Sequence, residues 1–126
     1  MYSFHTWRTD VGQQLAHVYR VRRTKLEQGD KELAKTLPEI TREHGHDKTI
    51  LIDGFERSGE AIAELIRRSM AKEGKVKGFK RGIVALTGYF IAHDAHHRGQ
   101  ILLTLKQAKV KFSPNARMAL WAWNQI

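Results

Sequence analysis

The 126-residue sequence predicts an all-α protein: an antiparallel bundle of three long amphipathic helices followed by a short fourth. Three observations lead there. Apolar residues recur at helical spacing over long stretches, and no segment alternates apolar and polar residues over the length of a strand. The only two prolines, Pro38 and Pro114, fall between the periodic stretches. The chain fits a single domain, residues 1–126, large enough to bury a core without covalent cross-links.

The first helix is expected from about Asp10 to Gln28, with Thr9 or Asp10 as its cap. Val11, Leu15, Val18 and Leu26 form its apolar stripe, flanked by Val21, and Gly29-Asp30 ends it. Residues 30–48 are irregular, with a helical turn near Lys31–Thr36, then Pro38 and the polar turn Glu43–Asp47. The second helix is expected from about Thr49 to Glu73, with Leu51, Phe55, Ile62, Leu65, Ile66 and Met70 facing the core. Gly74 marks its end, and Gly54 and Gly59 leave room for a neighbouring helix. A basic loop leads to the third helix, about Arg81 to Ala108, the longest and most apolar segment. Pro114 starts a final short helix capped by Ser113, and Met118, Leu120, Trp121 and Trp123 dock it on the bundle.

Composition narrows the chemistry. Without cysteine there is no disulfide, no thiolate metal site and no cysteine nucleophile, so a metal must be held by imidazole and oxygen. No apolar run is long enough to span a bilayer, and the N-terminal residues lack the pattern of a signal peptide, so a cytoplasmic protein away from membranes is expected. The net charge is +9. Residues 1–60 carry 10 Lys+Arg and 10 Asp+Glu, whereas residues 61–126 carry 12 and 3. Such asymmetry suits an anionic small ligand, an anionic surface or only a solvated basic face. Nucleic acid is disfavoured, because no helix-turn-helix or basic-aromatic recognition pattern occurs.

The chemistry-bearing run is His93-Asp94-Ala95-His96-His97. With His93 at zero on a helical wheel, His97 falls at roughly 40°, Leu86 at roughly 20° and Phe90 at roughly 60°. Two imidazoles one turn apart on an apolar stripe point the same way and need partners, and one metal ion satisfies both. The run is similar to the zinc-peptidase H-E-x-x-H pattern, with Asp94 in place of the glutamate. No Asp, Glu or His follows His97, which removes a downstream third ligand and with it that reading. The third ligand must come from upstream: His5, His17, His44, His46 or a carboxylate. His44 and His46 flank Gly45 in a polar turn, and His17 lies at the margin of its helix's apolar stripe. Spacing does not choose among them. Asp94 suits either orienting a ligand histidine or an interhelical hydrogen bond.

The segment Gly88–Ile101, with His93, His96, His97, Arg98, Gly99 and Gln100, followed by Leu105-Lys-Gln107-Ala108, resembles the DinB-like (DinB/YfiT-like) metalloproteins. Val11-Gly12, Leu15-Ala16-His17-Val18 and Val21-Arg22 look like that family's earlier ligand-bearing helix. Ser58–Ile62 and the Trp121-x-Trp123 ending also fit. The resemblance implies a four-helix bundle with His17, His93 and His97 as metal ligands, and with His96 beside them. Zinc or nickel is the expected metal.

Two departures stand out. The family's usual first helix is short or missing here, which leaves a groove for a second copy and suggests a homodimer. Lys109 stands where the family often has glycine. The resemblance further implies a metal-dependent transferase using a low-molecular-weight thiol, or a related hydrolase. The alternative is a non-catalytic metal- or ligand-binding protein of a stress response. Arg98, Lys80 and Arg81, with Lys77, are the candidates for attracting an anionic thiol or other small-molecule substrate.

Overall fold

The computed structural model describes residues 4–122, with side chains described for residues 11–119, 121 and 122. All regular structure among them is helical. The elements are α1 (Phe4–Gly29), α2 (Lys31–Lys35), a 3-10 helix (Arg42–His46), α3 (Lys48–Met70), α4 (Gly82–Gln107), α5 (Pro114–Met118) and a closing 3-10 turn (Ala119–Trp121). No helix among the described residues is long and apolar enough to cross a membrane.

Three long helices build the body, and their directions differ from the expected antiparallel arrangement. Along α1, Arg22 meets Asp94 and Lys25 meets Tyr89, so α1 and α4 run antiparallel. Tyr19 meets Gly54, Arg22 meets Ser58 and Gly29 meets Leu65, so α1 and α3 run parallel. Parallel helices require the chain to travel back between them. Residues 30–47 do this, and they pack along α1 in place of a fourth long helix. The Tyr19 hydroxyl donates to the Pro38 carbonyl, and the Gly12 and Gly45 backbones touch. An added Cβ at Gly12 would sit 1.6 Å from the Gly45 carbonyl oxygen.

The caps explain the breaks. The Asp30 carboxylate accepts from the Glu32 and Leu33 amides and starts α2. Asp47 accepts from the Ile50 amide and starts α3. Ser113 accepts from the Ala116 amide ahead of Pro114, as expected. The start of the first helix differs most: α1 begins at Phe4, because nothing between Phe4 and Asp10 breaks a helix. The other long helices agree with expectation to within about three residues at each end.

The core has two parts. One gathers Leu26, Ala34, Leu37, Ala61, Leu65, Ile83, Leu86 and Phe90 between the three long helices. The other gathers Ala16, Tyr19, Ile40 and Leu51 under the returning chain. Ala16 and Tyr19, absent from the expected stripe, are fully buried, because α1 is covered on two sides. Met70 was expected inward but is exposed in the last turn of α3. Gly54 admits the Tyr19 ring, whereas Gly59 faces open space. Met118 and Trp121 are exposed, so they do not dock α5 as expected; Trp123 and the Leu120 side chain lie outside the described residues.

Candidate metal centre

The antiparallel pairing of α1 and α4 sets one turn of α1 against two turns of α4. His17 projects from α1, and His93 and His97 from α4, and the three meet at the seam. Their ring centroids are 5.4 Å (His17–His93), 4.8 Å (His17–His97) and 4.6 Å (His93–His97) apart. One nitrogen from each ring can be chosen so that all three lie within 4.8 Å of one another. Three histidines are therefore close enough to hold one metal ion. His44 is engaged elsewhere: its Nδ1 accepts from the Thr41 amide at 2.9 Å and closes a cap on the 3-10 helix. His5 lies outside the described side chains.

The donors suit a cation. All three histidines are half-buried, and the buried Nδ1 of His97 has no hydrogen-bond partner. Burial first, and then the neighbouring His97, lowers the pKa of both His17 and His93. Imidazoles kept neutral in this way have a lone pair free for a metal.

The groups around the triad divide by side. Towards α3, the Arg22 guanidinium donates to Asp94 Oδ2 and, at 3.3 Å, to the buried Ser58 hydroxyl. It also lies 4.9 Å from the centre of the Phe55 ring. Of the two roles open to Asp94 in the sequence, the geometry displays the interhelical one. On the other side, Tyr89 stacks on His93, with 5.9 Å between centroids and 15° between planes. His96 is exposed and sits edge-on to His97 at 5.0 Å, outside the three-histidine cluster. Arg98 is exposed on the turn that carries His97. Lys80 and Arg81 lie at the opposite end of α4, about 18 Å along the helix axis from His93. They line a cavity of about 640 Å³ with Lys75, Phe79 and Gly82, and are remote from the triad.

Sequence reasoning missed Arg22, Phe55 and Lys25 as neighbours of the site. Tyr89 was discoverable, since it precedes His93 by four residues and so shares its face. Arg22 follows His17 by five residues, a spacing that carries no signal until α3 and α4 are in place. No protein-family model, no curated protein and no solved structure matches this chain.

Proposed function

We propose that this chain is a DinB-like metalloprotein that binds zinc or nickel through His17, His93 and His97 and acts as a metal-dependent transferase of a low-molecular-weight thiol, or as a related hydrolase. The observation that carries the reading is the convergence of three imidazoles from two helices far apart in sequence. A metal held by three imidazoles keeps open positions and lowers the pKa of a thiol or water that it binds. The chain's own residues supply the rest. Tyr89 lies flat on His93 and limits the rotation of its ring. The Arg22–Asp94 pair ties the two ligand-bearing helices together beside the triad. A reduced thiol as substrate is consistent with the cytoplasmic location expected from the sequence.

Elemental analysis and turnover test this. The purified protein is expected to carry close to one equivalent of a transition metal after reconstitution, and to conjugate thiols from a panel to monochlorobimane. His93→Ala should lose both properties. Metal content below about a tenth of an equivalent would remove the site, given the affinities typical of three-histidine centres.

One observation favours the second reading, a non-catalytic metal- or ligand-binding protein. The carboxylate nearest the triad in sequence, Asp94, is engaged by Arg22 through Oδ2 and serves to join α1 to α4. Metal binding without turnover on any thiol would decide for it.

We also propose that the chain forms a homodimer through the outer face of α4. Val84, Ile91, Leu102 and Leu103 are exposed there, with Gly88, Ala92, Ala95 and Gly99 between them. A helix apolar on its outward as well as its inward side is normally covered.

A further inference from the structure

The row of rings that begins at the triad continues along the α1–α4 seam. Tyr89 stacks on His93, and Phe79 lies 6.3 Å from Tyr89 between centroids. Above these two rings stands Lys25, whose ammonium is 5.1 Å from the Tyr89 centroid and 6.0 Å from that of Phe79. Lys25 is half-buried, and no ion pair holds it among the described residues. Its position follows from α1: it comes two turns after His17, while Tyr89 comes one turn before His93 on the antiparallel helix.

We infer that Lys25 is a recognition residue for the carboxylate end of a short anionic ligand whose other end reaches the three histidines, with Tyr89 and Phe79 as the apolar floor between. The inference rests on the metal-binding reading and names the substrate class for it. Steps of 5.9 and 5.1 Å separate the His93 ring from the Lys25 ammonium by way of Tyr89. A ligand spanning them is therefore no longer than about three amino-acid residues. A single ammonium suits a carboxylate, whereas phosphate sites usually bring a fork of donors or several amides. The half-buried setting strengthens the attraction relative to a fully wet lysine. The anion-reading role thereby moves from Lys80 and Arg81, which precede α4, to a residue on the α1–α4 seam that shares Tyr89 with His93.

The test is calorimetric titration of the zinc-loaded protein with glutathione and with its monoethyl ester, which differ by one carboxylate charge. The wild-type protein is expected to bind glutathione roughly tenfold more tightly than the ester, the scale of one charge-assisted hydrogen bond. Lys25→Gln should abolish that preference while leaving ester binding within about twofold, and Lys25→Arg should keep it. An unchanged preference in Lys25→Gln, an equal loss for both thiols, or no binding of either thiol by the wild type would each overturn the inference. Zinc content of the same samples separates the two levels. Failure to hold zinc removes the metal centre itself, whereas zinc retained without a carboxylate preference removes only the role of Lys25.

Discussion

The Arg22 guanidinium on α1 grips Asp94 on α4, one residue past the ligand candidate His93, and reaches the Ser58 hydroxyl on α3 with its other nitrogen. The three long helices are thus joined at one point beside the triad. Both charged side chains are largely withdrawn from water, at 17% and 25% exposure, and Asp94 Oδ1 has no further partner. Arg22→Met is therefore expected to cost about 2–3 kcal/mol in urea denaturation, because it strands a half-buried carboxylate. The double variant Arg22→Met/Asp94→Asn should recover part of that loss. Full additivity of the two single variants would mean that the pair contributes nothing as a pair.

Acid should loosen the metal-free protein before its carboxylates titrate. The folded state lowers the pKa of His17 and His93 from 6.5, through burial first and His97 second. Below pH 6.5 the unfolded chain then takes up more protons at these two residues than the folded chain does. Stability accordingly falls as the pH drops through that region and is regained as it rises. The Glu64 carboxyl is held down at about 2, chiefly by its hydrogen bond to Arg67, so it acts only in stronger acid. The urea midpoint of the metal-free protein should be lower at about pH 5.5 than at about pH 7.5, and His93→Gln should flatten the difference. A midpoint that rises on acidification would contradict the packing of neutral imidazoles.

Two backbone positions predict opposite signs. Lys109 follows the last turn of α4 with φ 61°, the left-handed conformation that glycine adopts without strain. The Val110 amide closes on the Leu105 carbonyl around it at 3.0 Å, as in a glycine-terminated helix. Lys109→Gly should stabilise the protein by about 0.5–1 kcal/mol. Gly12→Ala, by contrast, would drive a methyl group into the Gly45 backbone and should cost about 3 kcal/mol or more. Thermal denaturation of the two variants reads both effects, and a neutral Gly12→Ala would mean that the returning chain does not pack on α1.

The exposed row on α4 gives the assembly test. Sedimentation equilibrium should return a dimer for the wild type and a monomer for Ile91→Glu, a site 63% exposed in the single chain. A monomeric wild type would leave that face as ordinary surface.

Much of this protein was legible in its sequence because helical periodicity is local. The α4 turns that aim His93 and His97 the same way and the Ser113 cap each depend on neighbours a few residues away, whereas α3 ends at Met70, ahead of the Gly74 stop expected for it. The choice of His17 was different. It sits at the edge of its stripe, and the family resemblance, not spacing, singled it out. Only the antiparallel contact of α1 with α4 brings its ring to 4.8 Å from that of His97. The parallel course of α1 and α3, the return of residues 30–47 along α1, and the meeting of Arg22 with Asp94 likewise belong to the tertiary structure. Each depends on which faces of separate helices are buried against one another. That outcome comes from packing the whole core at once, and no local pattern of residues encodes it.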